Sequence, residues 1–212
     1  MKSDLWCAED VSMVRVFEDV VVLDLVADRY ECLVDAAAGI DPRPDGRLEV
    51  YDAGLADALI AAGLASLSAP ARRPVVPPPR REIRPDPAPG VGAGLRAGLV
   101  LTAATAAFHN HSLSSLAAPL APTAGAAAPD EARLSRLIGA ARLVAPFIPF
   151  EGECLHRAYG LRRLLHHEGF APVWVFGVRT WPFAAHCWIQ IGDLVVGDVL
   201  DRVRGYTPIR CV

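Results

Sequence analysis

The sequence predicts an α+β protein built from two modules, each an antiparallel sheet packed against helices. Three observations carry that expectation. First, APARRPVVPPPRREIRPDPAPG, residues 69–90, crowds prolines together with five arginines and offers almost nothing to pack, which marks a semi-extended linker. Second, VSMVRVFEDVVVLDLVADRYECL, residues 11–33, alternates and is rich in valine, as short antiparallel strands are. Third, the chain beyond the linker runs from helical periodicity into β-rich segments, in the order helix, helix, strand, strand, strand.

Residues 1–69 form the first module. Within it, Glu18-Asp19 and Ala27-Asp28 break the valine-rich run into two or three strands. YECLVDAAAGI and YDAGLADALIAAGLA then place apolar residues at helical spacing, with Gly39 and Gly63 where helices end. A small sheet of this kind has free edges, which can accept an extended peptide as an added strand, and it carries no cluster of reactive side chains. Residues 70–90 are the linker, and Arg72, Arg73, Arg80, Arg81 and Arg84 read there as solubilising charges.

Residues 91–212 form the second module, with its core over 130–212. DEARLSRLIGAARLVAPF reads as a helix opened by acidic residues and closed before Pro146. CLHRAYGLRRLLHHEGF is a second helix ending at Gly169, with Leu155, Ala158, Leu161, Leu164 and Leu165 as its buried stripe. PVWVFGVRT is a strand. AHCWIQIGDLVVGDV follows as a hairpin turning at Gly192-Asp193.

Bulk properties exclude some functions. At 212 residues and 52% hydrophobic composition, the chain can bury one large core or two small ones. A net charge of −3 disfavours nucleic acid as a partner. The stretch from Ala97 to Pro129 is uncharged but rich in Ala, Thr, Ser and Pro, so a buried helix is expected rather than a membrane span. Five widely spaced cysteines and no secretory pattern at the start point to free thiols in the cytoplasm.

The candidate chemistry centres on Cys154, His186 and Asp198. Cys154 follows the breakers Pro149 and Gly152 at a helix start, where unpaired N–H groups and the helix dipole favour a thiolate. Two registers are open for the hairpin. A three-residue loop of Ile191, Gly192 and Asp193 sets His186 opposite Asp198, whereas a two-residue loop sets Asp198 opposite Cys187, on the other face. In the first, imidazole and carboxylate pair, and a thiol beside that pair is the arrangement of a cysteine hydrolase. Cys187 reads as core. His109, His111, His166 and His167 read as polar helix-face residues. Cys154 and His156 lack a second Cys/His pair at zinc spacing, and no GxxxxGK phosphate loop is present.

The run CLHRAYGLRRLLHHEGF, then VWVFGVRT, AHCWIQIGDLVVGD and YTPI, resembles the lasso peptide B protein family, transglutaminase-like leader peptidases, over about residues 130–212. VVVLDLVADRYECL and LADALIAAGLA are similar to the winged-helix-like PqqD-type recognition module that some members carry. The resemblance implies a papain/transglutaminase-like fold with Cys154, His186 and Asp198 as catalytic residues. It implies removal of the leader from a ribosomally made precursor peptide, before an asparagine-synthetase-like macrolactam synthetase closes the ring. No cofactor is then expected on this chain, and ATP dependence would enter through the synthetase. Residues 110–129 match nothing in the pattern. Phe150, Glu151, Gly152 and Glu153 offer no upstream glutamine for the oxyanion, which leaves the backbone N–H of Cys154 as the first choice of donor. A non-catalytic leader-binding adaptor and an amine-accepting acyl transferase are the alternatives.

Overall fold

The computed structural model describes residues 5–121, 130–148 and 154–212. Residues 122–129, the latter part of the unassigned stretch, and 149–153, with the helix-start breakers Pro149 and Gly152, lie outside the described residues.

The N-terminal part holds two small antiparallel sheets. β2 (Val11–Val16), β3 (Asp19–Asp24) and β4 (Arg29–Leu33) form one, in that order. β1 (Leu5–Cys7), β5 (Ile40–Pro42), β6 (Arg47–Val50) and β7 (Ala65–Ser66) form the other, in the order β5-β6-β1-β7, with α1 (Ala53–Ala61) beside it. The valine run explains the stacking. Val20, Val21, Val22 and Leu23 are all buried, so β3 is covered on both faces. Val20 and Val22 join Leu5, Met13, Ile40 and Leu48 in one core. Val21 packs with Val178, and Leu23 enters the core of the C-terminal part.

One expected helix is absent. YECLVDAAAGI forms β4, which pairs from Val20↔Leu33 to Asp24↔Arg29, followed by a single 3₁₀ turn over Ala36–Ala38. Pairing with β3 overrides the helical spacing, and Asp35, with φ 56°, sets the left-handed kink between strand and turn. The region is therefore two sheets with one α-helix, where a three-stranded, helix-backed module was expected.

The C-terminal part is a five-stranded sheet covered by helices. Its helices are α2 (Val91–Asn110), α3 (Leu113–Leu116), α4 (Glu131–Val144), α5 (Cys154–His167) and the short α6 (Leu200–Val203). Its strands are β8 (Arg81–Glu82), β9 (Val173–Arg179), β10 (Ala184–Ile191), β11 (Leu194–Val196) and β12 (Thr207–Cys211), ordered β12-β9-β10-β11-β8. Ala158, Tyr159 and Leu165 of α5 pack on Trp174, Phe176, Cys187 and Ile189 of the sheet. Leu164 meets Ala97 and Leu101 of α2 and Ala140 of α4. α2 was expected to be buried, yet Leu95 and Leu99 stay exposed on its outer side. By length and composition it is the one described helix long and apolar enough to cross a membrane.

The Pro/Arg-rich segment is extended, as expected, but it packs as a strap. β8 adds in parallel to the edge of β11, Ile83 is buried, and Asp86 N–H donates to the Ser135 carbonyl. Arg73 reads as more than a solubilising charge. Its guanidinium donates to Ser12 Oγ and to the carbonyls of Ala8, Glu9 and Val11. Gln190, fully buried on β10, holds the strap to the sheet: Nε2 donates to the carbonyls of Pro77 and Gly192, both at 2.7 Å, while Oε1 accepts from Trp188 Nε1. Gln190→Leu strands these partners, and the expected cost is about 1–3 kcal/mol in urea unfolding. An unchanged midpoint would show that the strap is held some other way.

Candidate active site

The sheet, α5 and the strap bring the three expected residues together. The hairpin takes the register that, by strand pairing alone, separates His186 from Asp198: Ile189↔Val196, Gln190↔Val195 and Ile191↔Leu194 close on a two-residue Gly192-Asp193 loop. The pair forms nonetheless. β11 stops at Val196, and Gly197, with φ 80°, swings the chain so that Asp198 Oδ2 accepts from His186 Nε2 at 2.6 Å. A left-handed φ favours glycine, and a Cβ at Gly197 would sit 2.5 Å from Leu161 Cδ2 of α5. Gly197→Ala is accordingly expected to displace Asp198 and lower kcat roughly 10–100-fold with little change in KM; a kcat within twofold of the parent would show that this turn does not set the carboxylate.

Asp198 is fixed from several sides. Val199 N–H donates to Oδ1 at 2.7 Å and Arg202 Nη1 lies 3.4 Å from the same oxygen. The strap contributes too, since Glu82 Oε2 accepts from Leu200 N–H at the start of α6, the helix that follows Asp198. Burial alone would raise the Asp198 pKa. The hydrogen bonds from His186 and Val199, with the charges of His186 and Arg202, outweigh it and hold the carboxyl below its usual value.

His186 faces the side of the sheet that carries Trp188 and Tyr206, with ring centroids at 6.3 and 5.4 Å. Its partner across β9 is Gly177, and a Cβ there would lie 2.6 Å from the Trp188 ring, so the glycine makes room for this aromatic wall. Cys187, the next residue, turns to the α5 side and is buried, as a core residue should be. The chain-length logic of α5 places Cys154 at its first turn, where the sulfur is within hydrogen-bond reach of both neighbours.

The electrostatics follow from these contacts. Hydrogen bonding with the Cys187 thiol, with His186 and with the Cys187 backbone N–H favours the charged Cys154 sulfur, in that order. Against burial, these and the charge of His186 pull Cys154 down to about 4. His186 moves the other way, up to about 9, through its hydrogen bonds to Asp198 and Cys154 and the charges of both. Cys187 is pushed well above the ordinary thiol range by its hydrogen bond to Cys154 and by burial, so it stays a donor. Near neutral pH the site is a thiolate beside an imidazolium. With Nε2 committed to Asp198, the ring presents Nδ1 to the sulfur. A cleft of about 430 Å³ opens over Cys154 and His186, walled by Arg157, Leu161, Trp188 and Tyr206. A second groove of about 700 Å³ adjoins it, sharing Arg157, Leu161, Asp198 and Arg202.

Several contributors were not foreseen. Cys187 touches the nucleophile candidate because it sits beside His186, which spacing alone does not reveal. Tyr30 of β4 packs against the core that holds Cys187 and borders Cys154: burial and then the charges of Cys187 and Cys154 push its hydroxyl pKa up, and its ring lies 6.0 Å from Phe183. Trp181 Nε1 donates to Asp19 Oδ2, so the β9–β10 loop also rests on the N-terminal sheet. The other histidines stand apart from the cleft. His156 is buried, stacked on Phe108 and bonded to Thr105, while His111 and His166 bond backbone carbonyls. Among the described residues, no three metal-ligating side chains converge.

The fold and this cleft define a class. The transglutaminase-like superfamily model matches residues 97–211, more than half of the chain, and the protein belongs to that superfamily. A 49-residue stretch is 39% identical to the microcin J25-processing protein McjB of Escherichia coli, covering 23% of this chain and 24% of the relative. The match thus spans about a quarter of each protein. No solved structure matches the chain.

Proposed function

We propose that the protein is a cysteine peptidase of lasso peptide maturation, which removes the leader from a ribosomally made precursor. The observation that carries this reading is the placement of Cys154, His186 and Asp198 together in one open cleft, with His186 hydrogen-bonded to Asp198. Cys154 Sγ attacks the scissile carbonyl, and the backbone N–H of Cys154, at the head of α5 where N–H groups have no partner within the helix, donates to the developing oxyanion. His186 Nδ1 gives its proton to the leaving amine, which becomes the new N-terminus of the core peptide. The leader remains as a thioester on Cys154. His186, now neutral, takes a proton from water as its oxygen attacks the thioester, and the leader leaves as a carboxylic acid. Asp198 holds the ring throughout.

The similarity to a microcin-processing protein and the superfamily match support this assignment. The N-terminal part takes the role of a PqqD-type leader-recognition module, the partner is an asparagine-synthetase-like macrolactam synthetase working in the cytoplasm, and any ATP requirement lies with that partner. Leu23 and Val21 of the N-terminal sheet pack into the C-terminal part, so deleting residues 1–69 would expose core, and recognition is better tested on the whole chain. The superfamily also favours one second reading, acyl transfer from the same thioester to an amine.

The test is mass spectrometry of the precursor incubated with the full protein, with and without the synthetase, and with a small primary amine added. Leader and core that together exceed the precursor by one water establish hydrolysis. A leader carrying the amine establishes transfer. An uncut precursor in every combination refutes both readings.

A further inference from the structure

A second cavity, of about 450 Å³, opens where the N-terminal part, the strap and the C-terminal ends of α5 and β12 meet, and it shares no lining residue with the cleft at Cys154. Arg162 lies eight residues along α5 from Cys154, about 12 Å by helical rise. Four arginines line the cavity: Arg72, Arg73, Arg162 and Arg210.

Three of these guanidiniums are sunk into the protein with only neutral partners. Arg162, 1% exposed, donates to the carbonyls of Leu116 and Ala118. Arg210 donates to the Glu9 carbonyl and to Ser12 Oγ, the same hydroxyl that Arg73 uses. The Nε groups of Arg73, Arg162 and Arg210 are buried without a partner. Carbonyls satisfy hydrogen bonds but form no salt bridge, and the charges of Glu9 and Asp10 offset the burial of Arg73 and Arg210 only in part. Glu9 and Asp10 also line the cavity, yet among the described residues no carboxylate lies within ion-pair distance of these three arginines, and Glu9 Oε2 accepts from Ala71 N–H. Burial accordingly draws Arg162 and Arg210 down to about 10. The remaining walls, among them Leu25, Leu120 and Val173, are apolar.

We propose that this junction cavity is a binding site for an oxyanion, a carboxylate or a phosphate, held by Arg162, Arg210 and Arg73, with Arg72 on the strap closing over it. The assignment does not depend on the peptidase reading. The walls come from three segments of the chain, so an anion seated there joins the N-terminal part and the strap to the C-terminal part. Its oxygens could belong to a glutamate or aspartate side chain of an acidic peptide or to a free phosphate ion.

The experiment is isothermal titration of the full protein at fixed ionic strength. One arm uses inorganic phosphate. The other uses a short peptide with two adjacent glutamates, against the same peptide with glutamines. Saturable binding is expected in at least one arm, weakened at least about tenfold by Arg210→Gln and several-fold by Arg72→Gln. Binding in the phosphate arm alone assigns the site to a free ion, and binding of the glutamate peptide alone assigns it to an acidic peptide. Circular dichroism checks the fold of each variant. Should Arg210→Gln not fold, the exposed Arg72 carries the test. Absence of saturable binding in both arms, or unchanged affinity in every folded variant, overturns the proposal.

Discussion

Cys154→Ala is expected to lower precursor cleavage by at least about 10⁴-fold while leaving the unfolding midpoint within about 1 kcal/mol of the parent. The sulfur forms the bond to the scissile carbonyl, and no other described thiol can replace it: Cys187 is buried and its pKa is raised, which keeps it protonated. Cys187→Ala serves as the comparison. It retains the nucleophile but removes the thiol that most favours the charged Cys154 sulfur, so the thiolate should form at higher pH and the loss in rate at neutral pH should be far smaller. Time courses followed by liquid chromatography measure both. Equal losses in the two variants would mean that the thiol pair acts structurally.

The second large effect concerns His186. Cys154 titrates near 4 and His186 near 9, so the reactive ion pair forms as pH rises through the lower value and disappears as pH rises through the upper one. The profile of kcat/KM should be a broad plateau with limbs near those two values. His186→Ala removes the general acid and one of the two side-chain donors to the sulfur. Cleavage should fall by about 10³–10⁴-fold or more, and the pH at which iodoacetamide alkylates Cys154 should rise toward the ordinary thiol value of about 8.5. An alkylation profile that stays low in His186→Ala would assign the thiolate to the Cys187 contacts and the head of α5 instead.

Much of this site was legible because its signals are local. A breaker-bounded amphipathic helix beginning at Cys154, and a Gly192-Asp193 turn between two β-rich runs, each follow from a few adjacent residues. The contact between His186 and Asp198 was reached by a different route from the one considered. The sequence left two registers open, and the one that pairs the residues across strands is absent. Gly197 decides the outcome, because a single left-handed residue after a three-residue strand redirects the chain. That glycine is visible in the sequence, but the close approach of Leu161, which leaves no room for a Cβ there, belongs to the tertiary fold.

The N-terminal part was harder to read. Its valine run identified strands, yet burial on both faces of β3 became apparent only once the C-terminal sheet was in place. YECLVDAAAGI shows how helical spacing in a short segment yields to pairing with an adjacent strand. β1, β5, β6 and β7 are four residues or fewer, too short to show a period. The strap escaped notice because its contacts are long-range hydrogen bonds. Pro77 meets Gln190 and Glu82 meets Leu200, each more than a hundred residues away in sequence.

The central claim, that Cys154 carries the leader as a thioester, is tested most directly by quenching the protein with precursor in acid and weighing the intact chain. An adduct equal to the leader less one water is expected, located on Cys154 by peptide mapping and absent from Cys154→Ala. Undiminished cleavage by Cys154→Ala, with no adduct on the parent protein, would contradict it.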